Sequence, residues 1–482
     1  MRVLVLNPSS KITKNVVRDV IYGCWCKGKR IGGGTVPPFA LLEVATVLKK
    51  SKNDVRFIDA QGERISHERL ASESTSYDVV IISTSTMSFN EDVQLLSLLK
   101  QNYKNLTTIA FGAHPTFLPR NSLSRKSVDI IVRHEPEFVI RDVIYQMKHK
   151  KGQWKSVKGI GYKENGKIII NEPYPLIENL DELPFPDVTL LPTNVEYFNP
   201  LVLQTPYITT ATSKGCPGRC TFCTAPYFDG MKTRFQSANY VVEEIKYFIK
   251  HGYKEVYFRD DTFFVNKNRD VEICQTIINE KLDISWLANA RINLIDKETI
   301  ELAKAAGCHT IKFGVESGSQ KILDNVRKGQ TIEQVRKIFK ATKEVGMKTH
   351  AHMMLGMPGE TIETLEDTIK LAIELEPDTV TFGICTPYPG SPLFNEVKMI
   401  SPEIGDGTAS DFSKLHTKGL FNESFTNLSK KKLECSVRRA YRKFYLRPKY
   451  IFRFLLRLRT LSEIKKLSIA ALNVLDFIIK GE

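Results

Sequence analysis

The sequence predicts an α/β fold: an amino-terminal doubly wound parallel sheet, then a partial (β/α)6 barrel, and a helical carboxyl-terminal tail. Short apolar runs alternate with helical patterns over residues 1–150 and again over residues 207–395, and strands that alternate with single helices form parallel sheets. The 482 residues are 42% hydrophobic and 26% charged, a composition typical of a globular protein rather than of a disordered or fibrous chain. At roughly 150 residues per domain, this length favours about three domains.

The first predicted domain covers residues 1–150. Its expected strands are 3–6, 55–58, 79–82, 108–111 and 129–132, and its expected helices are 38–50, 90–101 and 137–148. A doubly wound sheet binds its ligand at the carboxyl ends of the strands. Polar or glycine-containing turns follow four of these strands, so a large ligand is expected to contact them: Asn7-Pro8-Ser9, Asp59, Ser83-Thr84-Ser85 and Gly112-Ala113-His114.

Residues 151–206 are predicted to be an ordered linker. Asn165-Gly166 is typical of a hairpin turn, and seven prolines follow between residues 173 and 206. Proline removes a backbone donor and fixes extended backbone. Six strands are then expected at 208–212, 255–259, 285–290, 310–315, 349–355 and 379–384, with helices at 238–250, 269–280, 297–306, 331–345 and 361–375. This pattern predicts a partial barrel over residues 207–395, with its chemistry at the carboxyl-terminal mouth.

Three cysteines follow the first predicted barrel strand in one short loop. Cys216, Cys220 and Cys223 are spaced as C-x3-C-x2-C, and thiolates are the ligands of iron–sulfur clusters. A cubane has four irons, so three thiolates leave one iron open for a ligand that is not protein. The alternative is a zinc site, but structural zinc takes four ligands and no fourth Cys or His lies nearby in the sequence.

This loop resembles the signature of the radical S-adenosylmethionine (SAM) superfamily, C-x3-C-x-aromatic-C. The resemblance implies that Cys216, Cys220 and Cys223 hold a [4Fe–4S] cluster whose open iron chelates the amino and carboxylate groups of SAM. One electron from the cluster would cleave SAM and release a 5′-deoxyadenosyl radical. Phe222 would pack near the adenine.

The same resemblance extends along the later strands and implies SAM contacts at their ends. The ammonium group would meet Asp260 and Asp261, and the carboxylate would meet Arg291. Glu316 and Ser317 would reach the ribose, and Gly356 ends the strand that contacts adenine. Each of these residues alone also fits an ordinary helix cap, surface pair or turn. Their order at successive strand ends favours the SAM site.

The first domain resembles the cobalamin-binding domain of one radical SAM subfamily, which includes C-methyltransferases, the anaerobic magnesium-protoporphyrin ester cyclase and hopanoid-modifying enzymes. The candidate cobalamin contacts are Pro38, Asp59, Ser83, Thr84, Gly112, His114 and Glu135. The D-x-H-x-x-G motif is absent, because Ala60-Gln61-Gly62 follows Asp59. No histidine of that motif would therefore bind cobalt, and His114 is expected to form a hydrogen bond within its loop. Alternatively, the domain recognises the substrate or only packs on the barrel.

The remaining cysteines are not expected to bind metal. The count of nine is odd, and the amino terminus begins like a strand rather than a secretory signal. Both features predict a reducing, cytoplasmic location. Cys24 and Cys26 are expected to be free thiols over the ligand site, and Cys274, Cys308, Cys385 and Cys435 are expected to be packing residues.

The tail, residues 396–482, carries most of the excess charge. The chain has a formal charge of +15, and residues 430–482 contain 15 Lys and Arg against 4 Asp and Glu. Because the excess positive charge lies in the tail rather than in the predicted catalytic domain, it does not indicate nucleic-acid binding, and no nucleic-acid partner is expected. Pro448 interrupts a basic amphipathic pattern, which predicts two helices. They either pack on the barrel or contact an anionic membrane surface. No apolar run is long enough to span a membrane.

The resemblance implies a cobalamin-dependent radical SAM enzyme that methylates an unactivated carbon. One SAM would supply the methyl group through cobalamin, and a second would supply the radical. The expected partners are a small-molecule or lipid-like substrate and an electron donor such as flavodoxin or ferredoxin. The alternatives are radical cyclisation or rearrangement, a tRNA methylthiotransferase, or a non-catalytic SAM- and cobalamin-binding module. A methylthiotransferase needs three spaced amino-terminal cysteines for a second cluster, which Cys24 and Cys26 do not provide.

Overall fold

The computed structural model describes residues 1–11, 16–18, 34–72, 77–103, 105–150, 152–402, 422–456 and 461–480. The strands are β1 (Arg2–Asn7), β2 (Asp54–Asp59), β3 (Val79–Ser83), β4 (Thr107–Phe111), β5 (Ile130–Val132), β6 (Ile160–Glu164), β7 (Lys167–Ile170), β8 (Tyr207–Thr210), β9 (Ser213–Lys214), β10 (Arg234–Phe235), β11 (Glu255–Phe258), β12 (Ser285–Ala290), β13 (Cys308–Glu316), β14 (Lys348–Leu355) and β15 (Thr379–Ile384).

The helices alternate with these strands and then form the tail. They are α1 (Phe39–Lys50), α2 (Ala60–Glu63), α3 (His67–Ser72), α4 (Phe89–Asn102), α5 (Ala113–Phe117), α6 (Pro119–Ser124), α7 (Glu137–His149), α8 (Ala225–Phe228), α9 (Ala238–Lys250), α10 (Lys267–Asn279), α11 (Lys297–Ala305), α12 (Gln320–Asn325), α13 (Ile332–Val345), α14 (Ile362–Leu375), α15 (Pro392–Ile400), α16 (Lys430–Tyr445), α17 (Pro448–Leu455) and α18 (Leu461–Lys480).

The first sheet has seven strands in the order β2-β1-β3-β4-β5-β6-β7. Strands β1 to β5 are parallel, and β3 is buried along its whole length because apolar clusters cover both faces of the sheet. The predicted hairpin is present, with Asn165 and Gly166 at positive φ between β6 and β7. Because β6 pairs with β5 in antiparallel fashion, this hairpin extends the first sheet into the predicted linker.

The second sheet has six parallel strands in the order β15-β14-β13-β12-β11-β8. The residues that face the surrounding helices form a continuous apolar core with α9, α10, α11, α13 and α14. Local signals fix the helix ends; for example, Thr331 and Gln334 form a capping box at the start of α13. The α/β fold class with a partial barrel is confirmed.

All eleven predicted strands and all eight predicted helices of these two regions occur, with ends that differ by two residues at most. The expectation of two tail helices was wrong. Pro448 does separate α16 from α17, but a third helix, α18, follows. Phe477 of α18 packs on Tyr441 with a ring distance of 5.1 Å, so a long-range contact supports α18.

Tyrosines of the tail cover the exposed backbone of the edge strand β15. The Tyr445 hydroxyl donates to Val380 O (2.7 Å) and accepts from Val380 N (2.9 Å). The Tyr441 hydroxyl accepts from Phe382 N (3.2 Å), and the Tyr450 hydroxyl donates to a carbonyl just before the strand (3.0 Å). Unpaired edge groups promote edge-to-edge association, and the tail hydroxyls satisfy them instead.

The two last helices also expose apolar side chains. Those at least half exposed are Phe452, Leu455, Leu456, Leu472 and Ile479. Among the helices that the structure describes, none combines the length and the apolar character that crossing a membrane requires.

We expect Tyr445→Phe to lower the free energy of unfolding by about 1–3 kcal/mol, because it leaves the backbone N–H and C=O of Val380 without their partner. The measurement is chemical denaturation of the purified protein. Tyr145→Phe, on the exposed side of α7, is the control and should leave the unfolding midpoint unchanged. Equal midpoints for both variants would contradict the role of the tail as an edge cover.

Candidate active site between the two sheets

The cysteine loop is held in place by backbone contacts. Gly215, with φ +91°, begins the loop, and a Cβ at this position would lie 2.6 Å from Lys232 O; therefore only glycine fits. Cys216 N donates to Gly230 O (3.2 Å), and Thr221 N donates to Val326 O (3.0 Å). These bonds anchor the loop at both ends, so the three thiols have fixed positions.

The three thiols are buried in an apolar pocket. Cys216, Cys220 and Cys223 are each less than 8% exposed and pack with Phe222 and Met357. Ala225 N donates to Cys223 Sγ (3.4 Å). Burial raises the pKa of the Cys216 thiol, and the charge of Asp261 adds to this effect. In the described part of the chain, no three His, Cys, Asp or Glu side chains could jointly hold a metal ion. Three buried thiols in one loop are the donors that iron–sulfur clusters take.

Asp260 and Asp261 lie where β11 ends, next to this loop. Asp260 Oδ1 accepts from Thr212 N (3.1 Å) and Thr212 Oγ1 (2.9 Å), whereas Asp260 Oδ2 is buried and has no partner within the described residues. Burial raises the pKa of Asp261 to about 7, with a further contribution from Asp260. A buried carboxylate oxygen without a partner needs a donor. The ammonium group of SAM has the charge and the donors to satisfy it.

The other predicted SAM contacts divide into two groups. Arg291 Nη1 lies 3.5 Å from Cys220 Sγ and its Nη2 donates to Lys328 O, while Glu316 accepts from Lys328 Nζ (2.7 Å). These side chains are close to the cysteine loop. Ser317 is fully buried, and its hydroxyl lies 3.1 Å from Thr368 Oγ1 of α14. Its contact with the ribose stays a prediction.

Gly356 lies at the end of β14, beneath the tail. A Cβ at Gly356 would come within 3.0 Å of Asn422 Nδ2 and of Leu433 Cδ1. Asn422 Nδ2 also donates to Gly356 O (3.0 Å). Residues just before α16 and within it thus pack against the end of the strand that is predicted to contact adenine.

A cleft of about 110 Å³ lies between the two sheets. Ser83, Gly112 and Glu135, at the carboxyl ends of β3 to β5, line it on one side. Lys214 and Asp261 of the barrel line it on the other. The predicted cobalamin and SAM sites therefore open into the same space.

Two predicted cobalamin contacts, Thr84 and Gly112, make close contacts within the first domain. Thr84 Oγ1 donates to Asp92 Oδ2 (2.7 Å), which also binds Arg18. A Cβ at Gly112, with φ +115°, would lie 2.4 Å from Thr84 O. The backbone at the ends of β3 and β4 therefore approaches closely, which forms the floor of the cleft.

Asp59 and Pro38 also form hydrogen bonds that stabilise the structure around the cleft. Asp59 is buried and accepts from Asn7 Nδ2 (2.7 Å), Tyr197 Oη (2.7 Å) and Gly62 N (2.9 Å). Burial raises the Asp59 pKa, and these bonds oppose that shift. Pro38 immediately precedes α1, and its carbonyl accepts from a backbone N–H one turn later (3.0 Å).

His114 lies within the first domain rather than on the wall of the cleft. Its ring stacks on Phe89 with centroids 3.9 Å apart, and its Nε2 lies 2.8 Å from Asn121 Oδ1. Burial lowers the pKa of His114 to about 4, so the ring is neutral at pH 7. The expected hydrogen bond is present, but it joins the short helices α5 and α6 rather than residues of a loop.

Sequence reasoning missed the side-chain contacts that join the two sheets. Glu135 Oε1 accepts from Arg234 Nη2 (2.6 Å), and Glu135 Oε2 accepts from Ile177 N (2.7 Å). Glu137 accepts from Lys214 Nζ (2.6 Å). Both pairs are buried, and Lys214 directly precedes the cysteine loop. The sequence feature that could have indicated this role for Lys214 is its position as a basic residue next to the cysteine loop.

Of the four other cysteines that the structure describes, three were predicted correctly. Cys274, Cys308 and Cys385 are buried, as expected. Cys435 is exposed, so its assignment as a packing residue was wrong. The apolar face of α16 contains Leu433, Val437, Ala440 and Phe444, and position 435 lies on a different face. Cys24 and Cys26 lie outside the described residues.

Two family models match the chain. The model of the radical SAM superfamily matches residues 210–372, which contain the cysteine loop and β11 to β14. The model of the B12 binding domain matches residues 32–144, which contain β2 to β5. The two matches meet at the cleft from opposite sides.

Known proteins resemble the chain over most of its length. An uncharacterized methyltransferase of Pyrococcus horikoshii is 33% identical over 434 residues, covering 88% of this chain and 91% of that relative. The anaerobic magnesium-protoporphyrin IX monomethyl ester cyclase of Cereibacter sphaeroides is 27% identical over 381 residues, and the match spans 77% of this chain but only 62% of the cyclase. The solved structure of the cobalamin-dependent S-adenosylmethionine radical enzyme OxsB with aqua-cobalamin bound has the same fold. Its TM-score is 0.72 at 16% identity, over 98% of this chain and 72% of that one.

We expect Arg234→Met to lower the free energy of unfolding by about 3–5 kcal/mol, because it leaves the buried Glu135 carboxylate unpaired. Adding Glu135→Gln to that variant should restore part of the loss. Denaturation of the two single variants and the double variant measures the coupling. Arg336→Met, which breaks an exposed pair with Glu374, should change stability by less than about 1 kcal/mol. Additive effects at Arg234 and Glu135 would contradict the ion pair.

Stability should depend on pH through His114. Its pKa is about 4 in the folded protein against 6.5 without burial, so the unfolded chain binds the proton more tightly. The contribution is constant above pH 6.5, and stability falls as the pH drops from 6.5 toward 4, by about 1.4 kcal/mol per pH unit at most. His114→Gln removes this titration. The stability advantage of the parent over His114→Gln should therefore shrink between pH 7 and pH 5, and an exposed His251→Gln control should show no such trend.

Proposed function

The chain belongs to the radical SAM methyltransferases that carry a B12 binding domain, and from this premise we propose that it methylates an unactivated carbon of a small-molecule substrate. As a member of this family it is an enzyme whose cofactors are a [4Fe–4S] cluster, SAM and cobalamin. The observation that carries the proposal is the shared cleft, because a methyl group can pass to a substrate radical only where the two cofactor sites meet.

We propose that the barrel residues named above hold the cluster and SAM. Cys216, Cys220 and Cys223 would bind three irons, and their buried pocket excludes water. Asp260 and Asp261 would accept hydrogen bonds from the ammonium group of SAM, and Arg291 and Glu316 would orient its carboxylate and ribose. When bound, the cluster and SAM supply a 5′-deoxyadenosyl radical and cobalamin supplies the methyl group.

The proposed domain organisation follows the predicted boundaries. Residues 1–150 would bind cobalamin, residues 207–395 would bind the cluster and SAM, residues 151–206 would link them, and residues 396–482 would cover the barrel edge. Ser83 and Gly112 would face cobalamin directly. Thr84, Asp59, Pro38 and His114 would support that surface through the contacts described above. The bonds that Glu135 makes to Arg234 and Ile177 favour a positioning role for it.

The cluster requires an external one-electron donor, such as flavodoxin or ferredoxin. A lipid-like substrate and contact with a membrane through the basic tail stay predictions. The second candidate reaction is cyclisation after the same hydrogen abstraction. The similarity to the cyclase of Cereibacter sphaeroides supports this second reaction. The methyltransferase of Pyrococcus horikoshii, however, matches this chain over more of its own length.

The decisive experiment compares Cys220→Ala with Cys435→Ala. After anaerobic reconstitution with iron, sulfide and hydroxocobalamin, Cys220→Ala should lose the cluster absorbance and form 5′-deoxyadenosine only at background rate, because one iron loses its thiolate. Cys435 is exposed and far along the chain from the loop, so its variant should match the parent.

Methyl-deuterated SAM then separates the two candidate reactions. A product that carries the deuterated methyl group supports methyl transfer, and a product without it supports cyclisation. A Cys220→Ala protein with parent-like cluster content and parent-like 5′-deoxyadenosine formation would overturn the proposal.

A further inference from the structure

The lumen of the partial barrel is open. On β13 and β14 the side chains that face the helices are fully buried, whereas the alternating inward residues Lys312, Gly314, His352 and Met354 are half-buried. A Cβ added at Gly383, on the neighbouring β15, would meet no atom within 4 Å. On β13 to β15 the inward face therefore borders free space, whereas Tyr207, Tyr257 and Leu287 on β8, β11 and β12 pack with Val202.

Two cations in this lumen have no acidic partner. Lys312 Nζ donates to the Tyr257 hydroxyl and lies 5.0 Å from the centroid of that ring. Arg259 Cζ lies 5.2 Å from the same centroid. Among the described residues, no carboxylate oxygen lies within 4.0 Å of either cation. A half-buried cation without a counter-ion is unfavourable, and two around one ring also repel each other.

The nearby acidic groups are already engaged. Glu316 pairs with Lys328. Glu255, at the amino end of β11, accepts from the backbone N–H groups of Leu203 and Gln204 and lies 2.9 Å from the ring of His309. The positive charge on Lys312 and Arg259 is therefore not cancelled by Glu316 or Glu255.

Two histidines on β14 complete the polar wall. His350 is in register with Lys312 of β13 and with Thr379 of β15. His350 Nδ1 lies 2.6 Å from Thr379 Oγ1, and His352 Nδ1 lies 2.8 Å from Thr381 Oγ1. Burial lowers the pKa of both rings well below the usual value, and the charge of Lys312 adds to this shift. The rings are thus neutral polar groups beside the cations.

We propose that Lys312 and Arg259, with His352 beside them, bind an anionic group of the substrate, either a carboxylate or a phosphoryl group. This inference rests on the proposed function and names the substrate class of the same site. Lys312 precedes Glu316 by four residues on β13, which places it about 13 Å deeper in the barrel than that predicted ribose contact. Arg259 also lines the cleft, so the anionic group would anchor a substrate whose reacting carbon faces the cofactors.

The test measures binding without turnover. The reconstituted protein, with cluster, hydroxocobalamin and SAM bound and no reductant present, is titrated with acetate or methylphosphonate while saturation-transfer NMR follows the probe methyl protons. SAM fills its own carboxylate site. Acetamide, a neutral isostere of acetate, is the control ligand. We expect saturable binding of at least one anion and none of acetamide.

The variants locate the site. Lys312→Met and Arg259→Met should each weaken binding of the anion by about 10-fold or more, the effect of losing one charge-assisted hydrogen bond. Lys312→Arg keeps the charge and should bind like the parent within a few-fold. Lys297→Met removes an exposed lysine that pairs with Glu344 and should bind like the parent.

Each result of the titration either assigns the anionic group or contradicts the inference. Preference for methylphosphonate assigns a phosphoryl group, and preference for acetate assigns a carboxylate. Equal affinity in the parent, Lys312→Met and Arg259→Met, or equal binding of acetamide, would overturn the inference. Because the titration needs no SAM cleavage, it can succeed even where the methylation assay fails, and the two failures remain distinguishable.

Discussion

Two buried ion pairs fix the distance between the cofactor-binding loops. Glu135 and Glu137 follow β5 of the first sheet, and their partners Arg234 and Lys214 belong to strands on either side of the cysteine loop. A buried pair contributes little net stability compared with apolar residues, but separating its partners is strongly unfavourable because each charge would remain desolvated. The pairs therefore resist relative movement of the sheets more than they stabilise either sheet. A reaction that carries a methyl group from one cofactor site to a radical at another needs such a fixed separation.

The open barrel creates a second constraint, since a six-stranded sheet that does not close leaves two edges. At β8 the first domain covers the edge region: the Tyr207 hydroxyl donates to Thr35 O (3.1 Å), and Thr209 Oγ1 donates to Pro37 O (3.1 Å). At β15 the tail covers it through the hydroxyls of Tyr441 and Tyr445. Both edges are thus occupied by other parts of the same chain. The barrel can stay open to admit a substrate without exposing its backbone to another sheet.

The sequence predicted structural elements correctly where the pattern that determines them lies within a few neighbouring residues. A buried parallel strand is apolar on both faces, so β3 appears in the sequence as the apolar run 79–82, one residue shorter than the observed strand Val79–Ser83. The C-x3-C-x2-C spacing likewise places three thiols in one loop. Partners distant in sequence could not be predicted: nothing local indicates that Glu135 meets Arg234, 99 residues away. Cys435 was misplaced because the orientation of α16 depends on its packing against β15, which the local pattern does not contain.

The distribution of charge within the cleft and the lumen separates the ligands that would compete for them. Near the cysteine loop the lining includes two buried carboxyls, Asp229 and Asp261. Burial raises both pKa values, and the charge of Asp261 adds to the shift of Asp229 while that of Asp260 adds to the shift of Asp261. This end attracts a cation such as the ammonium or sulfonium group of SAM, and binding it relieves the repulsion between the carboxylates. Deeper in the barrel the unpaired charges are positive, on Lys312 and Arg259. SAM would therefore be drawn to the carboxylates beside the cysteine loop, and an anionic substrate to Lys312 and Arg259. This separation of charge, rather than any single contact, would direct each of the two ligands to its own position.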